Sequence, residues 1–154
     1  MSVIRPSGRV RELMRQGAEK AVINSQIWLR KLDEAALASE YMRTVVDDPV
    51  LADAIRRCNR SNGLHWVAAN ISHPGEPVPA NVGAESLNVV RYLVRRGLDE
   101  SAVVDLYRIG HDVAWRAWMR TAFALVSDRD ELRELLDVSA SSMTSFIDAT
   151  IAGI

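Results

Sequence analysis

The run DLYRIGHDVAWRAWM, Asp105 to Met119, gathers a phenol, an imidazole, two indoles and two guanidinium groups within fifteen positions. On an α-helix Tyr107, His111, Trp115 and Trp118 fall at steps of four, four and three, so they share one face. Aromatic walls with a few polar tips are the usual lining of a small-molecule site, and Arg108 adds a cation on the flank. The plainer alternative is a packed core stripe whose polar tips find local partners. Gly110 sits mid-stripe, where a glycine admits a close neighbour or a ligand. Arg108 and Asp112 stand four apart on the polar flank and can pair, an exposed pair contributing only about 0.3–0.5 kcal/mol.

Other chemistry finds little footing. Haem ligation by His111 is the one cofactor alternative, with only Phe123 and Phe146 as phenylalanines and neither His65 nor His73 placed as a distal partner. Otherwise no cofactor is expected. Cys58, His65 and His73 lack the paired short spacings of structural zinc, so no metal is expected. Cys58 has no adjacent His-Asp pair to activate it. Ser139, Ser141 and Ser142 lie outside any Gly-x-Ser-x-Gly elbow, and both glycine-rich phosphate-binding patterns are missing. The chain reads as no enzyme.

Helical spacing recurs along the whole chain and no stretch alternates like a strand. A first helix is predicted over residues 9–32, with Gly17 and Asn24 as weak points. A second, residues 34–46, is predicted to start from Asp33 as its N-cap. Asp48-Pro49 opens a third, which runs to Ile71 with Asn62-Gly63 as a weak point. The segment from Ser72 to Gly83 holds three prolines and is a loop. A fourth helix ends at Gly97, a fifth carries the aromatic stripe from Asp99 to about Val126, and a sixth starts from Ser127 with Asp130. The expected fold is all-α: a single bundle of about six helices over residues 1–154.

The chain's 154 residues can bury roughly 70% of their unfolded surface. A formal net charge of -1 gives no field that would draw it to nucleic acid or anionic lipid. A single cysteine, no apolar signal core at the N-terminus and no run of about 18 apolar residues point to the cytoplasm and away from membranes. A helix-turn-helix formed by residues 89–110 is the competing binding class. Its second helix, however, begins with Asp99, Glu100 and Asp105, where DNA phosphate would have to approach.

Arg96-Gly97, followed by Leu106, Tyr107, Arg108, Ile109, Gly110, His111, Trp115 and Trp118, resembles the N-terminal domain of PucR/CdaR-type transcriptional regulators. That domain is related to the N-terminal domains of RsbR-type stress regulators. The closing helix, with Phe146, Ile147 and Asp148, fits the same resemblance, which covers about Glu85 to Ile151. It implies an all-helical signal-responsive domain, in some relatives globin-like without haem, followed by output domains that lie beyond this chain and carry DNA binding. A small ligand or a regulatory protein is then the expected partner, with Tyr107, Arg108, His111, Trp115 and Trp118 as candidate binding residues. A homodimer is also expected, with Trp28, Met42 or the last helix offering its surface. A homodimerisation scaffold without ligand is the alternative.

Overall fold

Asp48 shows how local chemistry sets the helix borders. Its carboxylate accepts from the backbone N–H of Val50 and Leu51 at 3.0 and 3.2 Å, ahead of Pro49 at the first helical position. The computed structural model describes residues 5–43 and 47–154. Among them are six α-helices and one 3-10 turn, with no strand: α1 (Gly8–Ile23), α2 (Ser25–Leu37), the turn Glu40–Met42, α3 (Pro49–Ser72), α4 (Ala84–Arg95), α5 (Glu100–Leu125) and α6 (Arg129–Gly153). The protein is an all-α bundle. No helix among the described residues is long and apolar enough to cross a membrane.

Helix α5 packs against α1, α2, α4 and α6, while α3 packs against α1, α2 and α4. The apolar interior forms two clusters. One gathers Leu13, Met14, Trp28, Trp66, Trp118 and Phe146 with their neighbours. The other gathers Met42, Leu51, Ile55, Leu93, Leu106 and Tyr107 with theirs. Helices α3 and α5 run through both, and Ile147 of α6 packs against both.

The predicted 9–32 helix breaks at Asn24, not at Gly17. Asn24 leaves helical geometry (φ -96, ψ 14), and Trp28 Nε1 donates to Ala21 O at 2.8 Å across the corner. Asp33 caps nothing. The buried stripe Trp28, Leu29, Leu32 and Ala36 needs one uninterrupted helix, so α2 runs through Asp33, whose carboxylate instead accepts from Asn59 Nδ2 at 3.0 Å. The predicted helix over 34–46 is therefore replaced by the end of α2 and the 3-10 turn, and its residues 44–46 lie outside the described residues. At α6 the capping oxygen belongs to Asp128, which accepts from Glu131 N at 2.9 Å, not to Ser127. Gly97 does end α4: with φ +77 it donates to Val94 O, and Leu98 N donates to Leu93 O, each at 3.0 Å.

The glycines carry a second correction. A methyl group on Gly17 would lie 2.7 Å from Cη2 of Trp118, and one on Gly63 would lie 2.5 Å from Cζ3 of Trp28. Close approach thus happens at the two glycines read as weak points. At Gly110 an added methyl would meet only Leu32 Cδ2, at an ordinary 3.5 Å. Trp28 and Met42, expected as dimer surface, are buried at 9% and 0% exposure, so neither is available to a partner.

These contacts order three substitutions. Gly17→Ala and Gly63→Ala lower stability by about 1–3 kcal/mol through overpacking, whereas Gly110→Ala raises it by up to about 1 kcal/mol through helix propensity. Urea unfolding of the three variants checks the order, and a stabilised Gly63→Ala would contradict the packing described.

Candidate functional site

Between the two apolar clusters lies a cavity of about 100 Å³. Helix α5 forms one wall with Leu106, Tyr107, Gly110, His111, Ala114 and Trp118, positions that recur every three or four residues. Opposite, α3 brings Cys58, Asn62, Gly63 and Trp66. Helix α2 adds Trp28 and Leu32, and α6 adds Met143, Phe146 and Ile147. Trp66 and Trp118 meet edge to face, their ring centroids 5.0 Å apart at 86°, a favoured arrangement for aromatic pairs. His65 stacks on Phe146 behind this wall, at 5.4 Å, and its Nε2 lies 2.9 Å from Pro79 O.

Of the five candidate residues, Tyr107, His111 and Trp118 line the cavity. Trp115 is half-buried and packs against the larger cluster without reaching the cavity wall. Arg108 is exposed and borders a separate groove on the α5–α6 surface, together with Val104, Asp148 and Ile151. His111 and Ile147 belong to both linings and so stand between cavity and groove. Arg108 and Asp112, which could pair, do not. Asp112 turns to Arg116 at 3.4 Å, the favoured order in which the acid precedes the base by one turn.

The tryptophans of α2 and α3, with Gly63, Asn62 and Cys58, were not read as site residues from sequence. The only available signal was the small residue Gly63 one turn before Trp66.

The polar end of the cavity is self-satisfied. Tyr107 donates its hydroxyl proton to Ser86 Oγ at 3.1 Å, and Ser86 donates to Asn81 O at 3.2 Å. Asn62 Nδ2 donates to Cys58 Sγ at 3.5 Å, while its carbonyl oxygen accepts from Asn81 Nδ2 at 2.9 Å. Asn81 N in turn donates to Thr150 Oγ1 of α6 at 3.1 Å. Burial pushes the Cys58 thiol up from its ordinary value despite its hydrogen bonds to Tyr107 and Ser86. The thiol therefore keeps its proton and is a poor nucleophile.

Among the described residues no three His, Cys, Asp or Glu side chains cluster to hold a metal. A haem does not fit beside His111: the cavity is smaller than the roughly 150 Å³ that accommodates benzene.

Burial also pushes Tyr107 up from 10.0 to about 12. The folded protein thus holds this proton after the unfolded chain has lost it. Its contribution is complete below pH 10 and falls as pH rises from 10 towards 12. Wild type is expected to lose about 2 kcal/mol more than Tyr107→Phe between pH 9 and pH 11.5. Urea midpoints of both proteins at the two pH values measure this, and parallel losses would contradict a buried phenol.

A family model described as the RsbT co-antagonist protein rsbRD N-terminal domain matches residues 31–153, from the middle of α2 to the end of α6. No curated protein and no solved structure matches the chain. The matched span includes α3, α5 and α6, and with them most of the cavity wall. The chain belongs to the rsbRD N-terminal domain family, and so stands with the RsbR-type regulators as an all-helical regulatory domain.

Proposed function

We propose that this chain is the signal-receiving domain of a cytoplasmic regulator and performs no catalysis of its own. A small molecule held in the central cavity sets how α6 packs against α5, and α6 passes that state to output domains. The single observation that carries this reading is the position of the cavity, on the seam between the two apolar clusters, with Phe146 and Ile147 of α6 in its wall. Helix packings tend to be two-state and so can carry a signal.

Membership in a family named for an RsbT co-antagonist favours stress signalling as the output. The PucR/CdaR-type alternative, DNA binding through a domain beyond this chain, draws on the Tyr-Arg-Ile-Gly-His and Trp-x-x-Trp residues of α5. A helix-turn-helix within the chain is disfavoured because Ala102, Val103, Leu106 and Tyr107, in the first turns of α5, are buried.

Tyr107, His111 and Trp118 are proposed as ligand contacts, and Arg108 as a contact at the outer groove. Trp115 is proposed to support Trp118 from behind. The protein is further proposed to be a homodimer. Ile23, Ile27 and Phe123, exposed at 81%, 61% and 61%, are the large apolar side chains a second copy would cover.

Thermal denaturation against a metabolite library tests the sensor reading. A ligand at a hundred times its Kd adds about 2.7 kcal/mol, a shift of roughly 5–10 °C for a domain of this size. Ala114→Leu, which fills the cavity, is expected to abolish that shift. If no compound stabilises wild type more than Ala114→Leu, a scaffold without ligand is the better account. Light scattering is expected to return twice the chain mass, and a monomer at micromolar concentration would refute the dimer.

A further inference from the structure

The central cavity and the outer groove between α5 and α6 share two wall residues, His111 and Ile147, and differ in chemistry. The cavity is half-open and mostly apolar, and its only ionisable side chains are Cys58, Tyr107 and His111. Two of these are engaged at the α4 end, Tyr107 with Ser86 and Cys58 with Asn62. The groove carries one guanidinium, Arg108, and one carboxylate, Asp148, beside Val104, Ile151 and Ala152.

Among the described residues neither Arg108, Asp148 nor the imidazole of His111 has a hydrogen-bond or ion-pair partner. The acids nearest Arg108 along α5 do not take it up: Asp105 leaves it unpaired, and Asp112 turns to Arg116. Arg108 and Asp148 thus line one groove with opposite charges and do not join. Exposed pairs contribute little, so two unmatched surface charges alone identify no site. Their place is what distinguishes them. They flank a half-buried imidazole on the wall shared with an apolar cavity.

We infer that cavity and groove together take a free α-amino acid with a short apolar side chain. The side chain enters the cavity, the carboxylate is held by Arg108 and an N–H of His111, and the ammonium faces Asp148. This deepens the sensor reading above and rests on it. A guanidinium presents a fork of N–H donors that matches a carboxylate, and imidazole offers an N–H in either tautomer. A plain acid would leave Asp148 opposed to it, and a plain amine Arg108. A zwitterion meets both. The size of the side chain follows from the cavity of about 100 Å³ set against the roughly 150 Å³ that holds benzene, room for about four non-hydrogen atoms. Leucine, isoleucine and methionine have side chains of this size. A charged side chain would find no carboxylate, ammonium or guanidinium in the cavity wall, with His111 engaged by the α-carboxylate.

Four probes separate the parts: leucine, isocaproate (leucine without its ammonium), isoamylammonium (leucine without its carboxylate) and alanine. Calorimetry is read on wild type, Arg108→Gln, Asp148→Asn and Ala114→Leu. Arg108 and Asp148 are exposed, so their variants keep the fold. Leucine is expected to bind wild type more tightly than either analogue lacking one charge, and at least about tenfold more tightly than alanine, which leaves the cavity empty. Ala114→Leu is expected to exclude leucine. Arg108→Gln is expected to weaken leucine and isocaproate about three- to tenfold and not to weaken isoamylammonium. Asp148→Asn is expected to do the reverse, weakening leucine and isoamylammonium and not isocaproate. The difference between leucine and alanine in wild type tests the cavity should Ala114→Leu fail to fold.

Isocaproate binding as tightly as leucine, or leucine indifferent to Arg108→Gln or Asp148→Asn, overturns recognition of a zwitterion. Alanine binding as tightly as leucine, or leucine held equally by Ala114→Leu, overturns the cavity as the seat of the side chain. If all four probes fail while a library compound binds wild type and not Ala114→Leu, the ligand class is wrong and the sensor reading stands. If nothing binds at all, both fall.

Discussion

The bundle depends on two tryptophan rings lying directly on glycine backbones. Trp118 of α5 presses the far edge of its indole onto Gly17 of α1, and Trp28 of α2 does the same to Gly63 of α3. Each contact is closer than any Cβ would allow, so each fixes the separation of a helix pair. A planar ring cannot flow into the space beside it as a Leu or Met side chain can. Both indoles, having reached across to a glycine, leave a gap along their flanks, and both line the cavity. The constraint that closes the bundle is therefore the one that keeps its centre open.

That open centre divides the apolar interior into two clusters sharing α3 and α5. At one end the division is reinforced by polar atoms: Cys58, Asn62, Ser86 and Tyr107 bond among themselves and reach Asn81 of the α3–α4 loop. Such a network resists repacking because breaking one member leaves another buried and unsatisfied. The other end is aromatic, with a single polar bond to α6 from Trp66 Nε1 to Ser142 Oγ. On the proposed sensor reading, occupancy would act on the Trp66, Trp118 and Phe146 side, where α6 packs, more than on α4.

Much of the fold was legible in the sequence because helix borders are written in local chemistry. Asp48-Pro49, Asp99 and Gly97 act within a few residues of themselves, and each marks a border where the sequence places one. Asp33 failed as a marker because a capping residue type carries no force against a continuous buried stripe, and Trp28, Leu29, Leu32 and Ala36 supply one. The site was half legible. Spacing put Tyr107, His111, Trp115 and Trp118 on one face, but a face about 100° wide packs against more than one neighbour. Trp115 went to the core and Trp118 to the cavity. Which wall stood opposite is a tertiary fact. Gly17 and Gly63 carry no sequence sign that a tryptophan from another helix needs their missing side chain, and so they read as flaws.

The size of the cavity sets how such a domain can signal. Enclosed cavity space costs about 24 cal/mol per Å³ in a protein core, so filling about 100 Å³ of this half-open cavity recovers at most about 2.4 kcal/mol. A ligand that gains this in one packing of α6 and not in another shifts their ratio at most about sixtyfold, since each 1.4 kcal/mol is a factor of ten. Driving a switch from 1:99 to 99:1 takes about 5.5 kcal/mol, more than occupancy alone provides. A switch built on this cavity therefore needs two packings within about 1–2 kcal/mol of each other before any ligand arrives. The seam between two separately satisfied clusters, joined through Ile147 and the aromatic wall rather than by one continuous interior, is an arrangement that permits such a balance.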